Sequence, residues 1–286
     1  MKITMVIVLY KLEPEESKTF KTLKQTLFLQ KEHLNDIELI LYDNSPNRYE
    51  FDPHNYKGIQ ISYHHDPRNL GIVTAYNIAW ECAKRNGSQW LLLLDHDTEL
   101  TSAYINEVLN LTGISSEVTA VVPKINSGNM MISPMFSNAL RPLKEERPVE
   151  GIQNQSVTAI NSGALIRVSF LNQIDGFNTS FSLDFLDHWL FYEIYAKGYK
   201  VLVLNVSLEH ELSVMDYSRV SLDRYKSILE SEMFFYRNYK KDLYSPYRIQ
   251  LTKRFFKQLI TVKNKEIAMY TLNKLFSMLR EPNLKG

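Results

Sequence analysis

The stretch WLLLLDHDTEL, residues 90–100, decides the fold. Five apolar residues run without a break into Asp95, His96 and Asp97. So short and uniformly apolar a run suits a strand covered on both faces, as in a parallel sheet. Ligands of such sheets bind beyond the carboxyl ends of the strands, which is where Asp95 and Asp97 fall. Two carboxylates one residue apart on an extended exit point the same way. Both can serve one hard divalent cation, which can in turn neutralise a diphosphate. The other reading is a solvated strand end leading into the N-cap of a helix beginning near Thr101.

Outward from this stretch, apolar runs at Ile3–Leu9, Ile37–Leu41, Ile59–Ser62 and Val118–Val122 predict further strands, each ending in turn residues. Glu15–Leu34, with Phe20, Leu23, Leu27 and Leu34 on one stripe, and Ile72–Lys84, which opens after Gly71, predict covering helices. The proline-containing stretch Lys124–Gln155 lacks periodicity and predicts a long loop. Ala159–Val168 reads as a strand, Leu183–Lys197 as a helix, Val201–Leu204 as a last short strand, and everything beyond Tyr217 as helical. The fold class is α/β, a mostly parallel sheet covered by helices, with a C-terminal helical extension.

Composition narrows the function. The 286 residues carry 33 basic and 32 acidic side chains, so there is no global field of the kind nucleic acid selects. The single cysteine, Cys82, excludes an internal disulfide, and no Cys/His spacing suits structural zinc; a reducing cytoplasm is the expected compartment. The opening segment has no small-residue cleavage site, and WLLLL is far short of the ~20 residues a spanning helix needs, so no membrane crossing is expected. Charge is uneven, however. Residues 237–286 hold 12 Lys and Arg against 3 Asp and Glu, which leaves 21 against 29 for the rest. Lys253, Arg254, Lys257, Lys263 and Lys265 alternate with Phe255, Phe256, Leu259, Ile260 and Met269. That is the composition of an amphipathic helix on anionic lipid, at the inner face of the plasma membrane; packing on the acidic part of the chain or a homodimer interface reads equally well.

Three more segments could carry chemistry. Tyr42-Asp43-Asn44-Ser45 closes the second strand, and its carboxylate could accept hydrogen bonds from a ligand imide or hydroxyl, or could form an Asx-turn. In Arg68-Asn69-Leu70-Gly71-Ile72, Gly71 would let a ligand approach the backbone at a helix N-terminus; an ordinary strand-turn-helix junction looks the same. On a helix, Asp184, Asp187 and His188 share one face, where a carboxylate could act as general base or simply suit the helix dipole. Cys82 and Trp80 read as core, and His64 and His65 as surface or pocket rim.

As an ordered set, Tyr10, YDNS at 42–45, RNLGIVTAYN at 68–77, LLLLDHDTEL at 91–100, NSGALIR at 161–167 and DGFNTSFSLDFLDHW at 175–189 resemble the family 2 glycosyltransferases. These are inverting enzymes of GT-A fold, and the likeness is to their rhamnosyltransferase-like branch. It implies a GT-A catalytic domain over 1–216, with a nucleotide-sugar half at 1–123 and an acceptor half at 156–216, and a basic helical region over 217–286. The implied activity is transfer of rhamnose or another hexose from a dTDP- or UDP-linked donor to a glycan acceptor, polyprenyl-linked in surface polysaccharide synthesis. The resemblance assigns the nucleobase to Tyr10 and Asp43, and the nucleotide pocket to Arg68, Asn69 and Gly71. Mg²⁺ or Mn²⁺ goes to Asp97 with Asp95 and His210, and the acceptor side to Asn161, Ser162 and Gly163. Asp187 becomes the base, with Asp184 and His188 beside it. His96, Trp189 and Glu193 depart from the family pattern. A nucleotidyltransferase is the competing enzyme, though it needs a glycine-rich loop where this chain has LYKLEPEES after strand one; a non-catalytic nucleotide-sugar-binding protein is the other alternative.

Overall fold

All seven residues of β1 (Ile3–Leu9) are buried, because neighbouring strands flank the run on both edges and helices cover its faces. The computed structural model describes residues 1–140, 146–209 and 220–280. After β1 come α1 (Lys18–Thr26), β2 (Ile37–Asp43), β3 (Gln60–His65), α2 (Ile72–Asn86), β4 (Trp90–Asp95) and α3 (Ser102–Leu109). These are followed by β5 (Val118–Ser127), β6 (Met130–Ser133), β7 (Met135–Phe136), β8 (Gly151–Gln153), β9 (Val157–Thr158) and β10 (Ala164–Arg167). Then α4 (Val168–Gln173), α5 (Leu186–Ala196) and β11 (Lys200–Glu209) lead to α6 (Leu222–Asn238), α7 (Tyr244–Thr261) and α8 (Lys265–Arg280).

Among the described residues the main sheet runs β3-β2-β1-β4-β10-β5-β11-β8, with β6 hairpinned onto β5. β1, β2, β3 and β4 are parallel, as are β5 and β11, while β10 lies antiparallel between β4 and β5. The chain moves from β1 outward to β2 and β3, then returns to β4 on the other side of β1. The carboxyl ends of β1 and β4 therefore form a topological switch point, the crevice where open α/β sheets bind ligands. Register fixes what lies there: Leu9 faces Asp43 and Val8 faces Asp95. Beneath, Leu92, Leu94, Ile7, Phe20 and Tyr104 belong to one buried cluster.

Several expectations need correction, among them the last strand, read as Val201–Leu204, which runs over Lys200–Glu209. Glu15–Leu34 is helical only over Lys18–Thr26, since Ser17 caps that helix by accepting from Phe20 N at 3.2 Å and Pro14 opens a separate 3₁₀ turn. The stretch 124–155 is not simply a loop. β5 continues to Ser127 and turns at Gly128, whose φ of 58° suits a tight hairpin, into β6, and β8 joins the sheet edge. The strand read as Ala159–Val168 is confined to Ala164–Arg167, because Val168 already opens α4.

The chain divides into two compact units, Met1–Asn138 with Pro142–Glu211, and Ala139–Arg141 with Leu212–Gly286. In the second, α6, α7 and α8 bury Tyr225, Leu229, Tyr247, Leu251, Ile267 and Met278. Arg254 pairs bidentately with Glu232 at 2.6 and 2.7 Å, fixing α7 on α6.

Candidate active site

Asp95 ends β4 and is partly buried; Asp97 is exposed in the turn that follows. Thr19 of α1 locks this turn from below: its one hydroxyl proton is shared between the carbonyls of Asp95 (2.5 Å) and Thr98 (2.9 Å), and its oxygen accepts from Thr98 N (2.9 Å). Ser162 closes the other side, where its hydroxyl accepts from Asp95 N at 3.0 Å and meets Thr98 Oγ1. Gly163, at φ 83°, donates its N–H to the Leu93 carbonyl. The Asn161–Gly163 segment thus buttresses the acidic turn, with Ser162 and Asn161 both buried.

At the neighbouring strand ends, Tyr10 is exposed beside Lys11, whose ammonium sits 5.1 Å from its ring centroid. Asp43 is fully buried. Its Oδ1 accepts from Ser45 N at 2.8 Å and its Oδ2 from the Tyr63 hydroxyl at 2.6 Å, so the carboxylate forms the Asx-turn that closes β2. Arg68 reaches solvent, but its guanidinium is forked onto Asp66 at 2.8 and 2.7 Å, and Tyr42 Oη donates to the same carboxylate at 2.9 Å. Arg68, and to a lesser extent the Tyr42 hydroxyl, hold the Asp66 carboxyl well below the usual carboxylate range, against the opposing effect of burial. Asn69 next to it adopts a left-handed φ of 49°.

The segment after α4 docks onto the start of α2. Ser182 O accepts from Val73 N at 3.3 Å, and a Cβ on Gly71 would lie 2.1 Å from that carbonyl. The approach that Gly71 permits is therefore made by this chain's own backbone. Asn77 completes the clamp, donating Nδ2 to Phe177 O at 2.9 Å and accepting Phe177 N at 2.8 Å, while Trp80 Nε1 donates to Asn172 Oδ1 at 2.8 Å. A Cβ on Gly176 would meet the Trp80 ring at 2.5 Å.

α5 starts later than its pattern suggested. Phe185 adopts a left-handed φ of 63° and the helix opens at Leu186, so Asp184 precedes it and the three-residue helical face is not formed. Asp187 stands in the first turn, accepting from His188 N at 2.8 Å, and the His188 ring stacks on Phe185.

Tyr76, one turn into α2, ties these parts together. Burial raises its phenol well above the ordinary value, and the charges of Asp95 and Asp187 raise it further. Among the described residues that hydroxyl has no hydrogen-bond partner, nor do the buried Asn44 Oδ1 and Asn161 Oδ1 in the neighbouring segments. Unpaired buried polar atoms cost roughly 1–3 kcal/mol each, which is tolerated where a ligand can engage them.

The residues that could serve a divalent ion are Asp95 and Asp97 at the end of β4, and carboxylate oxygens of this kind suit Mg²⁺ or Mn²⁺. His210 lies outside the described residues, and among the described residues no cluster of three or more His, Cys, Asp or Glu is poised for a metal. Asp66, Lys11, Thr19, Tyr76 and Asn77 carry much of this geometry, and the sequence assigned none of them a role. Tyr76 and Asn77 did lie inside the motif RNLGIVTAYN at 68–77, but neither was given a role of its own.

The glycosyl transferase family 2 model matches residues 5–175, a range that ends before Asp184 and Asp187. Among solved structures, the mannosyltransferase PcManGT from Pyrobaculum calidifontis, in complex with GDP-Man and Mn²⁺, is 13% identical. Its TM-score is 0.56, and the alignment covers 97% of this chain and 80% of that one. TarS residues 1–349 from S. aureus, in complex with UDP-GlcNAc, is 14% identical with a TM-score of 0.50, covering 97% and 81%. None of the curated proteins matches significantly.

Proposed function

The chain belongs to glycosyl transferase family 2, and we propose that it is a metal-dependent, inverting hexosyltransferase. Its donor on this reading is a UDP- or dTDP-linked rhamnose or another hexose, and its acceptor a glycan hydroxyl, in keeping with bacterial surface polysaccharide synthesis. The geometry that supports this is the buttressing of the Asp95 turn by Ser162, at 3.0 Å from Asp95 N, together with the docking of residues 177–182, which lead to Asp187, onto the start of α2 through Ser182 O and Asn77.

Asp97, with Asp95, would hold Mg²⁺ or Mn²⁺; PcManGT was solved with GDP-Man and Mn²⁺. A bound ion would supply the positive charge that offsets a departing diphosphate. Tyr10 offers an exposed face for the nucleobase. Asp43 acts on this reading by holding Ser45 and Tyr63 in place, and Arg68 with Asn69 shapes the wall of the nucleotide pocket. Asp187 takes the proton of the acceptor hydroxyl as that oxygen bonds to the anomeric carbon and the bond from that carbon to the diphosphate breaks. One base suffices for single displacement with inversion. Asn161, Ser162 and Gly163 keep the acidic turn in shape, and His188 N–H orients Asp187.

A panel of nucleotide sugars tested for thermal stabilisation with and without Mn²⁺ examines this directly. A donor at 100 times its Kd should stabilise by about 2.7 kcal/mol, and only with metal present. If neither UDP- nor dTDP-sugars shift the melting temperature under any metal condition, the reading fails.

A further inference from the structure

The α7–α8 face of the second unit exposes large apolar side chains. Ile249, Phe256 and Ile260 are 60%, 59% and 84% exposed, and their spacing of seven and eleven residues puts them on one stripe of α7. Phe276 of α8 is 51% exposed. Between the helices runs a groove of about 500 Å³ lined by Ile249, Phe255, Phe256, Leu272, Leu275 and Phe276. A patch of this kind on a water-soluble surface marks an interaction site.

Charge identifies the occupant. α7 contains no acidic residue, and Glu266 is the only one between Tyr244 and Arg280. Lys253 and Lys257, exposed and one turn apart, flank the apolar stripe. A symmetric contact with a second copy brings the same patch of each chain together, which here sets lysines against lysines. An anionic bilayer instead neutralises them while taking up the aromatic and aliphatic side chains. No described helix is long and apolar enough to cross a membrane, so the element lies on the surface rather than spanning it.

We infer that the exposed α7–α8 face is a docking surface for anionic phospholipid, with Phe256, Ile260 and Phe276 entering the headgroup region and Lys253 and Lys257 meeting lipid phosphates. This is independent of the sugar-transfer reading, because it involves no nucleotide. Flotation of the full chain with vesicles of phosphatidylglycerol and phosphatidylcholine, and with phosphatidylcholine alone, is the test. Binding is expected only to the anionic vesicles and should weaken as salt rises. Lys253→Gln with Lys257→Gln should weaken it ~25-fold, and Phe256→Ser with Ile260→Ser should abolish it. All four positions are exposed, so melting temperatures should hold; were the apolar pair to unfold the chain, the lysine pair decides alone. Absence of binding to anionic vesicles, equal binding to neutral ones, or undiminished binding by the lysine variant overturns the proposal. So does a dimer that the Phe256→Ser, Ile260→Ser variant dissolves in a chain that ignores vesicles.

Discussion

Asp187 sits one residue inside α5, steadied by the N–H of His188, and its proposed work is confined to one proton. Asp187→Asn keeps the shape and removes the base, so transfer should fall ~10²- to 10⁴-fold while donor binding measured by calorimetry stays near wild type. Wild-type turnover in that variant would end its candidacy. The buried Tyr76 hydroxyl has no hydrogen-bond partner among the described residues. Tyr76→Phe should leave stability unchanged or raise it by about 1 kcal/mol in chemical denaturation; a loss of about 2 kcal/mol or more would mean that the hydroxyl is partnered in the free protein. Asp66 offers a pH test. Its folded carboxyl is held low by Arg68 and Tyr42, so its stabilisation is fully present above the unfolded value near ~3.9 and is lost as pH falls through the lower folded value. The stability gap between wild type and Asp66→Asn should therefore be widest near neutrality and shrink below about pH 4; a gap that stays constant with pH would contradict this.

Among elements, the docking of residues 176–182 onto α2 gives the sharpest test. Gly71 and Gly176 are both left-handed, at φ 87° and 81°, and neither has room for a Cβ. Gly71→Ala would push Ser182 and the segment leading to Asp187 away from α2, at a cost of roughly 2–3 kcal/mol in stability and a larger loss in kcat than in donor affinity. A variant with wild-type stability and turnover would show that this docking positions nothing. The strands were legible in sequence because runs such as ITMVIVL and WLLLL are buried on both faces and admit one reading. The start of α5 was not: SLDFLDHW carries helical spacing throughout, and only the tertiary fit of Ser182 against Gly71 and the left-handed Phe185 displace Asp184 from the helix. Asp43 stayed ambiguous for a similar reason. The hydroxyl that occupies it comes from Tyr63, twenty residues away, and no local pattern announces that pairing.

At the scale of the molecule, the order β3-β2-β1-β4 matters most, because it places the exits of β1 and β4 side by side. Sequence runs could predict a parallel sheet but not this order, which long-range pairing sets. They likewise missed the strands within 124–155, where short edge segments carry little periodic signal. What the order builds is the switch point beside which Asp95 ends β4. The most direct test is a crystal structure of the chain with Mn²⁺ and the nucleotide sugar that stabilises it best. The account predicts the diphosphate beside Asp97 and the anomeric carbon facing the Asp187 carboxylate across a single cavity. A nucleotide sugar bound elsewhere, or bound there with Asp187 turned onto a different surface, would contradict it.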